Sequence, residues 1–430
     1  MFMKYNELFK KNYVGLLISS IIPFLIWGPF FPDLIVSISA IFFLYYIFRT
    51  KNYYYFNNAP FKIFLIFWLS LIFCSLLSDN VLLSLKSSFF YIRIGIFVCF
   101  IWYLIDKDKN FLNLFYYFLL ICFSCLIIDG FYQYFNKTNL FGMERMGGRI
   151  SSFFGEELIM GSYLSRLFPL LFALFLVKNK NKYEIFFIGI LFILADVLIY
   201  LSGERTAFVF LNLSTIFIII LIKKYQIFRL VSFLIAIILI TYLSTNSAKL
   251  FERMILMPAE NLGLTIKPFI KIDENIKDEQ HKKRVFFTPI HDSHYRTAYE
   301  MFKDKPIFGH GPKMFRFKCS DTRYSVGKWP CNTHPHNFYL QLLAETGLIG
   351  FSFLFIAFSY VCYAFLMQVR SIIFKKKRHL SDYQVCLLAG ILISVWPISP
   401  NGNFFNNWLS IVYILPIGFY LQSIYSKIKI

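Results

Sequence analysis

"LSGERTAFVFLNLSTIFIIILIKKYQIFRLVSFLIAIILITYL", residues 201–243, decides the fold. Two apolar runs, 205–222 and 227–243, are separated only by a short basic turn at Lys223 and Lys224. Each run is long enough to cross a bilayer core as a helix, which takes roughly 17–25 residues. The apolar residues are continuous rather than alternating, so the pattern is helical and not that of a membrane β-barrel. Working outward, the same pattern recurs at 13–31, 34–48, 61–78, 89–105, 111–130, 158–177, 184–201, 347–368, 383–399 and 408–425. The chain reads as an all-α integral membrane protein of about twelve transmembrane helices.

Composition agrees. Of 430 residues, 57% are hydrophobic, 21% aromatic and only 16% charged, more apolar surface than a soluble domain can bury. A net charge of +20 could suggest a nucleic-acid partner, but the cations gather in short loops between apolar runs. That is the signature of cytoplasmic loops, not of a nucleic-acid face. The basic N-terminus, with Lys4, Lys10 and Lys11, resembles a signal peptide, yet the run after it is too long and lacks a small-residue cleavage site. It reads as the first span.

With the N-terminus inside, the returning loops carry Arg49, Lys51 and Lys62; Lys107 and Lys109; Lys178, Lys180 and Lys182; and Lys223, Lys224 and Arg229. "VRSIIFKKKRHLSDY" (369–383) is the most basic short loop, and Lys427 and Lys429 place the C-terminus inside. The opposite loops "FFPD" (30–33) and "SPNGNFFNN" (399–407) carry no Lys or Arg. Two longer polar stretches then face outward, 130–157 and 244–346. The expected organisation is nine helices over 1–243, a large outer loop domain over 244–346, and three helices over 347–430. No internal repeat is visible.

Six cysteines lie in or beside the spans, where a lone thiol is a small core hydrophobe. Cys319 and Cys331 alone lie in the large loop, and an oxidising outer compartment would let them form a disulfide.

Six of the seven histidines fall in that loop. In "CNTHPHNFYLQLLAETGLIG" (331–350), Pro335 holds His334 extended, so a helix starts near His336 or Asn337 and ends or kinks at Gly347. His336 then lies at a helix N-terminus above an apolar stripe, where a neutral, proton-accepting imidazole is favoured. Helix capping or plain interfacial packing would explain it equally well.

Arginine is the second theme. Arg205 opens a span, Arg166 and Arg93 lie inside spans, and Arg149 and Arg296 lie in the outer stretches. A charge deep in a span costs about 2.5–3.5 kcal/mol on insertion scales and calls for a polar cavity or a partner. Snorkelling suffices for Arg93. Together, outward-facing guanidinium groups suit a polyanionic headgroup. "HDSH" (291–294) and "HPH" (334–336) do not match a zinc spacing, "DKD" (106–108) reads as a solvated turn, and "FGHGP" (308–312) signals tight turns. No metal and no cofactor is expected.

Four segments carry a family resemblance: "GRISSFFGEELIMGSYL" before the sixth span, "SGERTAFVF" at the eighth, "YRTAYEMFKDKPIFGHGPKMF" in the large loop and "HNFYLQLLAETGLIG" before the tenth. In order and placement, over about 140–365, they resemble the bacterial O-antigen ligase and O-antigen polymerase superfamily. Where that family carries a Pro-Asn or similar pair before the sixth span, this chain has Glu156 and Glu157. The resemblance implies a metal-independent, inverting glycosyltransferase with a helical GT-C-like bundle, set in the bacterial inner membrane with its active site on the periplasmic side. It implies transfer of a glycan from undecaprenyl diphosphate to an acceptor sugar hydroxyl. His336 would be the catalytic base, and Arg205, Arg296 and, by a looser match, Arg149 would hold the diphosphate; Arg166, read from its place inside the sixth span, is expected to join them. The acceptor would be lipid A–core for a ligase, or the growing lipid-linked chain for a polymerase. A transporter of lipid-linked sugars is the non-enzymatic alternative, and it would spread polar residues to both sides in paired halves.

Overall fold

The structure, a computed structural model, describes residues 12–108, 110–178, 181–261, 264 and 287–426. Lys4, Lys10, Lys11, Lys109, Lys180, Lys427 and Lys429, on which part of the expected sidedness rests, lie outside the described residues, as does His281.

The chain forms α1 (Tyr13–Trp27), α2 (Phe30–Thr50), α3 (Ala59–Leu76), α4 (Val81–Lys107), α5 (Phe111–Asn136), α6 (Met160–Val177), α7 (Lys182–Leu201), α8 (Arg205–Leu221) and α9 (Gln226–Thr245). The outer loop contributes α10 (Pro289–Asp304), and α11 (Phe338–Ile373), α12 (Asp382–Ser394) and α13 (Asn407–Tyr425) follow. Among the described residues, nine of these are long and apolar enough to cross a membrane, while α1, α8 and α12 are shorter apolar helices. Length marks nine of them as spans and leaves the expected count of twelve unconfirmed; every expected run falls on one of these helices. The protein is an all-α membrane protein.

Local chemistry sets the helix starts. Side chains of Asn58, Asn80, Asn181, Asn337, Ser381 and Asn406 accept hydrogen bonds from the free N–H groups that open α3, α4, α7, α11, α12 and α13. One of these edges differs from expectation and another meets it. The cap at Asn80 begins α4 eight residues before the expected run at 89. The cap at Asn337 begins α11 at Phe338, and the helix continues past a break at Gly347 (φ 62, ψ −161) into the span.

Helix α6 forms the axis of the bundle. It is buried from Met160 to Leu176 and packs against α5, α7, α8, α12 and α13. Gly390 of α12 lies against the two helix-interior prolines, Pro169 of α6 and Pro416 of α13. Helices α2 and α4 close one flank with α13, and α7 with α9 the other. Large side chains along α2, α3, α9 and α11 face outward, as lipid contact requires.

The loops gather at two ends. At one, Asp106 accepts from Ser426 Oγ (2.6 Å), Gln422 Nε2 (3.2 Å) and Tyr55 Oη (3.3 Å), so it ties α3's approach and α13 to α4. Its neighbour Asp108 is buried and caps the turn at Asn110. The "DKD" segment is thus a helix-end anchor and not a solvated turn. Asp382 at the same end accepts from the Lys223 and Lys224 backbone and from Arg378. Two arginines also differ from expectation. Arg93 pairs with Asp33 of the "FFPD" segment at 2.6 Å rather than merely snorkelling. Arg229 is not a loop cation: it is fully buried against Asp196, with contacts of 2.7 and 3.0 Å.

Candidate functional site

The other end of the bundle collects the segments 78–84, 149–162, 202–205, 253–257, 287–347 and 397–404. The "SGERT" turn between α7 and α8 is its first knot. Gly203 has φ 70, and a Cβ on it would stand 3.0 Å from Arg253 Nε and 3.5 Å from Arg149 Cγ, so only glycine fits between the two arginines. Arg149 Nε donates to the Ser202 carbonyl (3.3 Å) and Arg253 Nε to the Gly203 carbonyl (3.0 Å). Glu204 turns inward instead, accepting from the Gly161 and Ser162 N–H groups at 2.6 and 2.9 Å. Its carboxylate thereby serves the orphan donors at the start of α6 from a distant loop. Burial pushes the Glu204 carboxyl above its usual range, and the Ser162 hydrogen bonds, Arg149 and the Gly161 N–H pull it back. Arg205 donates to Met257 Sδ at 3.1 Å.

The second knot joins the two outer-loop motifs. The "FGHGP" segment wraps the break in α11: His310 N–H donates to the Ala344 carbonyl (3.0 Å) and Gly311 N–H to the Glu345 carbonyl (2.7 Å). Leu348 N–H donates back to the Pro306 carbonyl (2.8 Å). Gly309 and Gly347 both have positive φ, and their added Cβ atoms would meet backbone at 2.4 and 2.3 Å. The glycines are there for close backbone approach, not for phosphate. Asp79 pairs with Lys305 and Lys318, and Ser84 Oγ donates to the Pro312 carbonyl, which docks this clasp on the α3–α4 corner. Cys319 and Cys331 are joined in a disulfide with Cα atoms 5.1 Å apart. It ties the short helical stretch Phe315–Lys318 to the segment that leads into His336.

Four histidines meet at the top of α11. The His336 ring lies 4.1 Å from that of His334, 5.3 Å from His291 and 5.5 Å from His294, centroid to centroid. No group of three or more His, Cys, Asp or Glu among the described residues is arranged to hold a metal ion. His336 itself precedes the helix and has φ 59, a conformation uncommon outside glycine. Asn332 Nδ2 donates to His336 Nε2 at 3.0 Å, which makes Nε2 the nitrogen with a free lone pair. Burial, together with the neighbouring His334, His291 and His294, pushes the His336 imidazole down to about 3. Burial also takes His334 and His291 down to about 4 each, with Arg316 adding at His334, and His294 and Arg205 adding at His291. All three are neutral near pH 7.

The expected site residues divide. Arg205 stands beside His291 and shares the first knot with Arg149. Arg166 is buried on α6, with Phe210 and Tyr413 against its guanidinium at 5.0 and 5.3 Å, and its Nη2 donates to Asn401 Oδ1 at 3.3 Å. Arg296 is not brought to the cluster. It projects from the face of α10 opposite His291 and His294, is 62% exposed, and pairs with Asp292 at 2.8 Å. There it borders an open pocket of about 350 Å³ with Tyr295, Tyr299, Glu300, Val326 and Leu340.

Two cations join that the sequence did not single out. Arg253 enters the first knot, and Arg316 stands close to His334 and Glu345. Both sit among other basic loop residues, so nothing in their local pattern marks them. The Nε atoms of Arg166, Arg205 and Arg316 are buried without a hydrogen-bond partner, as are those of the ion-paired Arg93, Arg229 and Arg378; at the site His294 Nδ1, His334 Nε2 and Asn401 Nδ2 are also open. Buried donors left open in this way are costly unless a ligand or water completes them.

The O-antigen ligase family model matches residues 188–355, the stretch that holds both knots and the histidines. The match supports the O-antigen ligase and polymerase superfamily. It takes in Arg205, Arg253, Arg296, Arg316 and His336, and leaves Arg149, Arg166 and Asn401 outside. No curated protein matches the chain. Over those residues the chain is similar to O-antigen ligases.

Proposed function

We propose that the protein is an O-antigen ligase-like transferase that moves a glycan from undecaprenyl diphosphate to a sugar hydroxyl, the lipid A–core in the ligase reading. The observation that carries this is a neutral His336 packed against His334 and His291, which themselves stand near Arg316 and Arg205. An alcohol is a weak nucleophile and needs a base. A sugar hydroxyl taking the place of the Asn332 amide presents its proton to the Nε2 lone pair of His336. Its oxygen attacks the anomeric carbon, the bond from that carbon to the diphosphate breaks, and the configuration inverts. The diphosphate leaves with an added negative charge, which Arg205, Arg149, Arg253 and Arg316 meet from preset positions. The lipid diphosphate already activates the sugar, so the step calls for no nucleotide.

Arg296, exposed on the far face of α10 and paired with Asp292, takes no part in holding the diphosphate in this reading. Residues 130–157 and 244–346 together form the outer, periplasmic part of the protein in this reading, with both termini cytoplasmic and the bundle in the bacterial inner membrane.

Purified protein in detergent, given lipid diphosphate-linked glycan and lipid A–core, is expected to form a new glycosidic bond. A polymerase would instead lengthen the lipid-linked chain with no core present, and a transporter would form no bond.

A further inference from the structure

The loop between α12 and α13, residues 395–406, belongs to neither knot and falls outside the family match. Yet it is stitched to the start of α11 at successive turns. Asn337 Nδ2 donates to the Pro397 carbonyl at 2.8 Å. Gln341 Nε2 donates to Asn403 Oδ1 at 2.9 Å, and Phe404 N–H donates to Gln341 Oε1 at 2.9 Å. Between them, Asn401 N–H donates to the His336 carbonyl at 2.7 Å, the shortest polar contact that holds His336 in its positive-φ conformation. The Tyr295 hydroxyl reaches the same carbonyl only at 3.5 Å.

Asn401 is buried, and its Oδ1 accepts from Arg166 Nη2. Arg166 is itself fixed on the bundle axis by Phe210 and Tyr413 and by its Nη1 contact to the Ser162 carbonyl at 3.4 Å. A non-glycine residue at positive φ costs of order 1–3 kcal/mol and persists only where its surroundings hold it. The shortest of the contacts to the His336 carbonyl comes from Asn401, and through it the path runs to Arg166 on α6.

We infer that Asn401 is a positioning residue: it transmits the fixed position of Arg166 on α6 to the backbone of His336 and so aims the imidazole at the acceptor hydroxyl. The inference rests on the base role proposed above for His336. Arg166 acts here as a strut through Asn401 and not as a diphosphate ligand.

The test compares Asn401→Ala, which removes the acceptor for Arg166, with Asn401→Asp, which keeps an acceptor oxygen and strengthens it with charge. Full-length proteins in detergent are assayed for kcat and for KM of the lipid-linked donor. In parallel, the rate at which diethyl pyrocarbonate modifies His336 is followed by mass spectrometry. The alanine variant is expected to lose about 10- to 100-fold in kcat, the cost of an ångström-scale misplacement, with donor KM nearly unchanged. Its His336 should also be modified several-fold faster, and the aspartate variant should restore both readings to near wild type. Wild-type kcat in the alanine variant, a change confined to KM, or an aspartate variant as impaired as the alanine one would each overturn the inference. If the wild type itself transfers no glycan, the proposed function fails, while the modification rates still decide whether Asn401 holds His336.

Discussion

Arg229 and Arg166 are both buried in the helical bundle, and they meet burial in opposite ways. Arg229 has a carboxylate: Asp196 accepts two of its hydrogen bonds, Thr215 Oγ1 accepts another at 2.8 Å, and Phe168 lies against the guanidinium at 4.5 Å. Arg166 has only neutral partners: the Ser162 carbonyl, the Asn401 amide and two rings. The contrast extends to the two ends of the molecule. Away from the site, Arg378 and Lys178 pair with Asp382 and Glu184. At the site, Arg149, Arg166, Arg205, Arg253 and Arg316 form no ion pair among the described residues. The one buried carboxylate amid the first knot, Glu204, gives its oxygens to backbone N–H groups instead. A paired charge in a bundle holds helices together; under the proposed function the unpaired Arg149, Arg205, Arg253 and Arg316 receive an anion, while Arg166 serves as a strut.

That division can be broken at several points. Replacing Asp196 by Ala, or Arg229 by Leu, strands a charge in the bundle and should cost about 3–5 kcal/mol, while replacing both by apolar residues should be close to neutral. Thermal unfolding in detergent reads both, and equal losses in the single and double variants would mean that the pair is not the element that matters. Arg205→Ala should behave in the reverse manner. Its stability should stay near wild type, but kcat/KM should fall about 10²–10³-fold, the usual cost of removing one preset donor to developing charge. A loss of stability of the Arg229 kind would assign Arg205 to structure. Gly309→Ala should then destabilise the clasp by about 1–3 kcal/mol through overpacking against the Glu345–Thr346 backbone, seen as faster proteolysis of the outer loop.

A further expected effect is one of pH. His291, His334 and His336 are neutral in the fold because burial depresses them, to about 4, 4 and 3. Once unfolded they protonate below the usual 6.5, so the unfolded state binds more protons there. Stability should therefore fall as the pH drops from about 6.5 towards 4 and should not depend on these groups above 6.5. Hydrogen exchange of residues 331–346 across that range reads the slope, and a flat profile would mean that the rings are not desolvated.

The bundle was largely legible in the sequence because continuous apolar runs report burial in lipid directly, and each expected run falls on a helix. Asn337 as the start of α11 and Gly347 as its break followed from Pro and Gly chemistry in the same way. The Cys319–Cys331 pairing followed from the expected sidedness, since only those two thiols lie in the large loop, and the structure joins them. What the sequence concealed is contact between distant segments. Arg316 and Arg253 look like ordinary loop cations until folding places them beside His334 and Gly203. Asn401 lies in a loop without charge, and only its link to Arg166, 235 positions away, gives it a role. Arg229 and Arg296 misled for the same reason: exposure and pairing depend on partners, Asp196 and Asp292, that no pattern of spacing names.

The direct test is glycan transfer by purified His336→Ala protein beside the wild type, at saturating lipid-linked donor and with insertion and unfolding midpoint matched. Loss of general-base help should lower kcat by about 10²–10⁴-fold. Undiminished transfer by the alanine variant would contradict a histidine base at the top of α11.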